Sequence, residues 1–195
     1  MSKILWKGSA QLSPVPAVLV TCGTAEKPNV FTVAWTGIVC TQPPKTYISV
    51  RPERFSHALL LENGEFVINL TTAAMVRAVD YCGVRSGRNE DKFAACRLLT
   101  EPAEEVAPPV LCATPAALEC RVTDRIPLGS HDLFLADIVA VRAEEELLDE
   151  AGRLCLERAR LLAYSHGSYH VLGERLGGFG DSVRKKPAKK RTKRR

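Results

Sequence analysis

The sequence predicts a mainly β protein whose strands form a closed antiparallel barrel. Six or more short runs rich in β-branched and aromatic residues are separated by glycine, proline and asparagine turn signals. Long helices do not alternate with these runs, as they would in a parallel doubly wound sheet. The length of 195 residues, with 46% apolar and 25% charged residues, is typical of one globular domain with one core.

The first half of the chain provides four strands. Residues 16–23 and 29–40 are predicted to form a hairpin, because both runs are β-branched and a turn-like segment separates them. Residues 45–52 follow a double proline and alternate in the manner of a strand. Residues 65–72 do the same after an Asn-Gly turn signal.

Three short helices are predicted between the strands. The first covers residues 56–63, with Ser56 as its N-cap, since a hydroxyl at that position accepts a hydrogen bond from an otherwise unpaired backbone N–H. The second begins at Ala73 and ends at Gly83. A polar loop follows, and a short helix is expected before Cys96.

The second half of the chain returns to strands, at 116–128, 131–143 and 161–173, which turn signals and a polar segment separate. The last segment, 184–195, is a low-complexity run of like charges that is expected to be disordered. We therefore expect one domain over residues 1–183 and a basic tail over 184–195.

The net charge of +5 is concentrated in the tail, because nine of the last twelve residues are lysine or arginine. Without them the rest of the chain carries 5 − 9 = −4. The body of the protein is therefore mildly acidic, and the overall charge does not indicate what the folded domain binds.

The seven cysteines have no CxxC pair and no zinc-site spacing with histidine, so neither a disulfide framework nor a metal site is expected. His166 and His170 are four residues apart, but Gly167 and Ser168 between them disfavour the helix that a metal pair at this spacing needs. No signal-like or membrane-spanning run is present in the sequence. We expect a reducing, cytoplasmic location.

Residues 51–56 have the composition of an anion site. Arg51, Arg54, the Ser56 hydroxyl and the start of a helix can act on the same phosphate oxygens. The alternative is an ordinary capped helix beside two solvated arginines.

A second candidate site lies along the strand at 32–36. In a regular strand Thr32, Ala34 and Thr36 point to one side and Val33 and Trp35 to the other, so small side chains let a flat ligand ring approach the backbone. The alternative is that Trp35 belongs to the core.

The order of these segments along the chain resembles the flavin reductase-like, FMN-binding split-barrel family, most of all its flavoredoxin and ferric reductase branch. The resemblance covers roughly residues 10–180. The segments that carry it are Thr32 to Thr36, Ser49 to Arg51 with Ser56, Phe66 to Asn69, Ser86-Gly87 with Asp91 to Phe93, and Gly129 to Phe134.

The resemblance implies a split β-barrel with Greek-key connections and a few short helices, a homodimer, and FMN at the barrel surface near the subunit interface. Residues 32–36 would lie beside the flavin ring, and 49–56 would hold the ribityl chain and phosphate. The implied cofactor-binding residues are Thr32, Val33, Ala34, Trp35, Thr36, Ser49, Arg51, Arg54, Phe55, Ser56, Ser86, Gly87 and Lys92.

His131 matches the histidine of the family's Gly-Ser-His turn, which implies a catalytic position close to the flavin and the nicotinamide. A neutral imidazole there could donate or accept a hydrogen bond. Taken without the resemblance, His131 is a histidine at a strand edge. The resemblance also brings Tyr164, His166 and Tyr169 toward the nicotinamide side.

The implied activity is that of an FMN-dependent oxidoreductase that accepts hydride from NADH or NADPH. It would pass electrons to free flavin, a ferric chelate or a protein partner. An alternative is a flavoredoxin-like FMN-binding electron carrier without NAD(P)H activity of its own. The basic tail could add weak, salt-sensitive contact with nucleic acid or serve only solubility.

Overall fold

The computed structural model describes residues 1–184, so the predicted basic tail, apart from Arg184, lies outside the described residues. The strands are β1 (Val15–Pro16), β2 (Val18–Gly23), β3 (Pro28–Val33), β4 (Thr36–Thr41), β5 (Pro44–Val50), β6 (Glu65–Asn69), β7 (Thr100–Glu101), β8 (Val110–Leu111), β9 (Ala116–Pro127), β10 (Asp132–Ala143), β11 (Leu162–Ser165) and β12 (Ser168–Val171). The α-helices are α1 (Phe55–Asn63), α2 (Val76–Val84) and α3 (Lys92–Cys96). Short 3-10 turns cover Ala73–Met75, Glu145–Leu147, Leu156–Ala159 and Asp181–Val183.

Seven strands form one antiparallel sheet in the order β3-β2-β6-β9-β10-β5-β4, and β1, β11 and β12 form a second, three-stranded sheet. Strands β3 and β4 are joined by only two residues, so their facing ends are at most about 11 Å apart. They nevertheless lie at opposite edges of the large sheet. The sheet must therefore curl until its two edges meet.

The expected closed barrel is wrong at this seam, because β3 and β4 do not pair with each other within residues 1–184. Within residues 1–184, β3 pairs only with β2, and β4 pairs only with β5. The chain leaves one edge at Val33 and reaches the other at Thr36, and the Trp35 carbonyl accepts a hydrogen bond of 2.9 Å from the Ser49 amide. The single strand predicted at 29–40 is thus two strands, because the chain crosses the seam at Ala34 and Trp35.

The segment predicted as one strand at 161–173 is also two strands. The chain turns back at His166 and Gly167, whose φ angles of 46° and 84° suit a two-residue hairpin turn. The result is the hairpin β11–β12, with Leu162 paired to Val171.

The hairpin predicted from residues 16–23 and the start of 29–40 is confirmed as β2–β3. The strands predicted at 45–52, 65–72, 116–128 and 131–143 are confirmed with small shifts of their ends.

The three predicted helices are confirmed, but Ser56 is not the N-cap of the first. Helix α1 begins at Phe55, with Arg54 at the cap position and no side-chain cap bond. Ser56 is buried, 2% exposed, and its hydroxyl oxygen accepts from Asn29 Nδ2 at 2.8 Å instead. Helix α3 does have a side-chain cap, the Asp91 carboxylate, which accepts from Phe93 N at 2.9 Å and Ala94 N at 3.2 Å.

Two apolar clusters lie on the two sides of β2 and β3. Inside the curled sheet, Phe31 and Val33 pack with residues such as Phe66 and Phe134. On the outer side, Val30 packs with Val79 of α2 and its neighbours. Because side chains alternate along β3, Thr32 faces α2, where its hydroxyl donates to the Val79 carbonyl. This contact fixes α2 beside the end of β3, where the cavity of the candidate site begins.

Candidate functional site

A cavity of about 490 Å³ lies at the seam of the barrel, between the ends of β3 and β5, helix α2, the start of β10 and the hairpin β11–β12. Its volume is in the range of small-molecule sites. The predicted site residues that line it are Thr32, Val33, Ala34, Trp35, Ser49, Arg51, Arg54 and His131.

A second, smaller cavity of about 90 Å³ lies at the start of α1 and the loop that precedes α3. The predicted site residues that line it are Arg54, Phe55, Ser56, Ser86, Gly87 and Lys92. Arg54 and Phe31 line both cavities, so the two are adjacent. The fold therefore brings together residues that are up to about 100 positions apart in the sequence.

Thr36 is the exception among the predicted site residues. It lies in β4 beyond the seam, and its hydroxyl donates to the Tyr47 carbonyl at 2.5 Å. It lines neither cavity. The regular alternation predicted for 32–36 fails here because the strand is broken at Ala34 and Trp35.

The small cavity contains a buried cation. Lys92 is 3% exposed, and its ammonium group donates only a long hydrogen bond of 3.4 Å to the Arg85 carbonyl. Among residues 1–184 no carboxylate pairs with it in a salt bridge. Burial lowers the pKa of Lys92, which is the expected effect of desolvating an ammonium group. A cation held in this way is suited to an anionic ligand.

The two arginines of the predicted anion site differ in how they are held. Arg54 Nη1 donates to the Gly83 carbonyl at 2.8 Å, so its guanidinium is fixed at the junction of the two cavities. Arg51 is exposed, with its Nη1 only 3.5 Å from a Glu53 oxygen. The alternative of solvated arginines therefore describes Arg51 but not Arg54.

Gly87 lets two segments approach closely at the small cavity. A Cβ at this position would lie 2.0 Å from Asn29 Oδ1 and 3.2 Å from a ring carbon of Phe55. Sequence reasoning did not identify Asn29. Its available signal was an asparagine, a poor strand former, inside an apolar strand.

The walls of the large cavity are partly aromatic. Trp35 is 37% exposed, so the alternative that assigned it to the core is wrong. On the opposite side Tyr164 and Tyr169 meet edge to face, with ring centroids 5.6 Å apart. The Tyr169 hydroxyl donates to Asp80 Oδ1 at 3.4 Å, and burial together with this carboxylate raises the pKa of Tyr169. A flat ligand would therefore find apolar ring faces at the seam.

His131 is half-buried at the start of β10, and its Nδ1 lies 3.0 Å from the Ser130 hydroxyl. Burial lowers the pKa of His131, and the nearby positive charge of Arg51 acts in the same direction. The neutral form of the ring is therefore favoured. Behind it, His57 Nε2 and Asp132 Oδ2 form a buried contact of 2.8 Å that joins α1 to β10.

Residues 10–173 match the family described as "Flavin reductase like domain". This match covers most of the chain. The chain belongs to the flavin reductase-like family. The family prediction is thereby confirmed.

Solved structures support the same relation. The flavoredoxin of Desulfovibrio vulgaris is 30% identical, with a TM-score of 0.87 over 94% of this chain and 100% of its own. The FMN-binding protein of Thermus thermophilus is 28% identical, with a TM-score of 0.78 over 91% and 99%. Sequence comparison adds the NADPH-flavin oxidoreductase of Streptomyces viridifaciens, which is 27% identical over 152 residues, 76% of this chain and 77% of the relative. The similarities to solved structures confirm the predicted mainly β, split-barrel fold. The open seam between β3 and β4 agrees with it, because such a seam distinguishes a split barrel from a closed one.

The residues of the two cavities fit the cofactor that the family implies. A phosphate needs cationic and N–H or O–H donors, and Lys92, Arg54 and Ser56 meet at the small cavity. A flavin ring needs a slot with apolar walls, which the large cavity provides. Within the described part of the chain no group of three or more metal-ligating side chains is found, and no helix is long and apolar enough to cross a membrane.

Proposed function

We propose that this protein is an FMN-dependent oxidoreductase that accepts hydride from NADH or NADPH and passes electrons to free flavin, a ferric chelate or a protein partner. The family relation supports the oxidoreductase class and FMN as its cofactor. The observation that carries the proposal is the buried cation Lys92, without a carboxylate partner in residues 1–184, in the small cavity that adjoins the cavity of about 490 Å³.

The residues of the small cavity hold the terminal phosphate in this proposal. Lys92 and Arg54 supply positive charge, and the Ser56 hydroxyl donates a hydrogen bond beside the first N–H groups of α1. Ser86 and Gly87 also line this cavity, and the absence of a side chain at Gly87 lets their loop pack closely against Asn29 and Phe55. Phe55 lines the same small cavity at the start of α1. Arg51 lines the large cavity and not the small one, so it lies outside the phosphate end of the site in this proposal.

The residues of the large cavity hold the flavin ring and the second substrate. Thr32 to Trp35 form one wall with Ser49, and backbone groups at the seam are available to the polar edge of the ring. FMN, when bound, supplies the acceptance of hydride and the onward transfer of electrons. The chain itself needs only to position, pair charges and keep one face accessible. Thr36 is not part of this arrangement.

His131 is the residue proposed to act closest to the flavin and the nicotinamide. Its neutral ring can donate or accept a hydrogen bond at the cavity, and the Ser130 hydroxyl beside Nδ1 helps to define its orientation. Its role is to place the nicotinamide and to stabilise negative charge at the cavity.

Rapid mixing under anaerobic conditions tests the proposal. The purified protein, loaded with FMN, is mixed with NADH or NADPH while the visible absorbance of the oxidised flavin is followed. Prompt bleaching with at least one nucleotide supports the reductase. A protein that takes up no FMN at micromolar concentration contradicts the whole assignment.

A second candidate function is that of an electron carrier without NAD(P)H activity. The 30% identity to a flavoredoxin favours it. In the same experiment the carrier keeps its yellow absorbance with both nucleotides and bleaches only when a reduced partner protein is added. The two functions therefore give opposite results.

Three further parts of the proposal concern the whole protein. A homodimer is supported by β4, an edge strand that exposes Ile38 and Val39. A cytoplasmic location is supported by the seven free cysteines, an odd number. The domain is assigned to residues 1–183, which contain the family match.

The basic tail at 184–195 remains a separate hypothesis. If it contacts nucleic acid, binding of a DNA duplex should weaken steeply as salt rises and disappear when the tail is deleted. If DNA binds the deleted protein equally well, or not at all to the full chain, the tail has no such role.

A further inference from the structure

Asn29 occupies a position that no prediction assigned to it, between β3, α1 and the Gly87 loop. Its side chain is buried, 5% exposed, beneath the small cavity. Its Nδ2 donates to Ser56 Oγ at 2.8 Å, and its Oδ1 stands where a Cβ of Gly87 would have to go. One amide therefore contacts two of the segments that form the proposed phosphate site.

The bond from Asn29 determines what the Ser56 hydroxyl can do. A hydroxyl has one hydrogen and can accept through its oxygen. Because Asn29 Nδ2 donates to that oxygen, the hydroxyl hydrogen remains available for an acceptor elsewhere. Ser56 lines the small cavity, so a phosphate oxygen there would be such an acceptor.

The other neighbour of Ser56 competes only weakly for this hydrogen. The Cys22 thiol is buried near both Asn29 and Ser56, and burial raises its pKa to about 12, with the two side chains acting in the opposite direction. Cys22 is therefore a neutral thiol at pH 7, and a thiol sulfur is a weak acceptor. An anionic phosphate oxygen is a much stronger one.

We propose that Asn29 is a positioning residue that holds the Ser56 hydroxyl ready to donate to the terminal phosphate, and thereby makes the site select the phosphorylated flavin over riboflavin. The inference rests on the proposed FMN site. It adds a residue that touches no cofactor atom and acts through Ser56. It also names the preferred ligands of the site as flavins that carry a terminal phosphate.

The test compares two flavins that differ only in the phosphate. FMN and riboflavin are titrated into the apoprotein, and binding is followed by flavin fluorescence. Asn29→Asp keeps the side-chain shape but replaces the donor by a negatively charged acceptor, so the Ser56 hydroxyl turns toward it. FMN affinity is expected to fall by roughly tenfold to hundredfold, the range for a lost bond to a charged group, while riboflavin affinity changes less than about twofold.

Asn63→Asp is the matched control, because Asn63 lies at the other end of α1, where its Nδ2 donates to the Leu59 carbonyl at 3.0 Å. This variant should retain the wild-type preference for FMN. The neutral Asn29→Ala variant is measured as well, because the carboxylate of Asn29→Asp also repels the phosphate directly, and it replaces Asn29→Asp if that variant does not fold by circular dichroism. Adding Ser56→Ala to Asn29→Ala should then cause little further loss, since the two residues act through one bond.

Several results would overturn the inference. Equal losses for FMN and riboflavin would give Asn29 a purely structural role, and unchanged FMN affinity in the variant would give it none. Additive losses in the Asn29→Ala and Ser56→Ala pair would separate the two residues. If the unaltered protein binds no FMN, the proposed function fails together with this inference. Normal FMN binding with an unaffected Asn29 variant removes this inference alone.

Discussion

Lys92 shows how a single residue can be unfavourable for the empty protein and favourable for its proposed ligand. Its ammonium group is desolvated without a carboxylate partner among the described residues, which costs free energy in the apoprotein. A bound dianion would compensate that cost. Binding strength and apoprotein stability are therefore opposed at this position.

The Lys92→Met variant tests this opposition. The apoprotein should become more stable by about 1 kcal/mol or more, because a buried unpaired charge is replaced by an apolar side chain. FMN affinity should fall by roughly tenfold to hundredfold. Urea unfolding and FMN titration measure the two effects. Lys27→Met, an exposed control, should change neither, and a loss of apoprotein stability in Lys92→Met would contradict the explanation.

Three buried thiols give the protein a pH dependence on the alkaline side. Burial raises the pKa of Cys22, Cys82 and Cys120 from 9.0 to about 12. A thiol with a raised pKa in the folded state contributes stability that is complete below pH 9 and lost as the pH rises toward 12. The unfolding free energy should therefore decline above pH 9, measured by urea titration under reducing conditions.

Variants identify the source of that decline. Cys120→Ala should make the slope above pH 9 shallower, by up to about 1.4 kcal/mol per pH unit for the one thiol removed. Cys112→Ala serves as the control, because Cys112 is exposed, and should leave the slope as it is. An identical slope in both variants would show that other groups cause the decline.

At the scale of elements, the contact between His57 and Asp132 joins helix α1 to strand β10. Both side chains are buried, and their atoms lie 2.8 Å apart, while Arg125 approaches the same carboxylate at 3.4 Å. This contact sets the start of the phosphate-side helix relative to the start of the strand that begins beside His131. The contact between His57 and Asp132 therefore helps to position both the phosphate end of the site and the end that contains His131.

Removing one partner of this contact should be costly. His57→Ala leaves Asp132 buried with only the longer contact to Arg125, so the unfolding free energy should fall by about 3 kcal/mol. Thermal or urea unfolding of the variant provides the measurement. His170→Ala, on the exposed face of β12, should cost less than about 0.5 kcal/mol. Similar values for the two variants would mean that the buried contact stabilises little.

Sequence patterns predicted the elements that depend on local alternation and missed the changes that depend on distant contacts. Residues 116–128 and 131–143 were predicted well, since each is one long strand with turn signals at its ends. The break at Ala34 and Trp35 was missed because it results from the curling of the whole sheet. The turn at His166 was missed because the apolar and aromatic residues on both sides are typical of one strand, although Ser165, Gly167 and Ser168 between them are typical turn residues.

The candidate site was predicted to a similar extent. The phosphate-side residues were found because arginines, a serine and a helix start are adjacent in the sequence, and the family order added Lys92. Asn29 was not found, since its function depends on a contact with Ser56 across 27 positions. Ser56 was first assigned to capping, because sequence alone shows the helix start but not the buried amide beside it.

At the scale of the whole molecule, the open seam leaves β4 as an edge strand with exposed apolar side chains. Ile38 is 60% exposed, and an uncovered edge of this kind favours association with another chain. In the proposed homodimer a second copy covers it. The cavity at the seam would then lie close to the partner subunit.

Ile38→Glu should shift the protein toward a monomer, because a charged side chain opposes burial in an apolar interface. Analytical ultracentrifugation over a range of protein concentrations measures the change. Leu99→Glu, a similarly exposed position in a loop before β7 and outside β4, should leave the oligomeric state unaltered. An unaltered protein that is monomeric at all concentrations would remove the dimer from the proposal.

The two strands that flank the seam hydrogen-bond to different neighbours, β2 on one side and β5 on the other. A small relative displacement of these edges breaks no backbone ladder, and the Trp35 carbonyl travels with β5 through its bond to the Ser49 amide. The distance between these two edges can therefore change without the loss of a strand pairing. A cavity placed at such a seam is bounded by two edges that are not tied to each other by a hydrogen-bond ladder within residues 1–184.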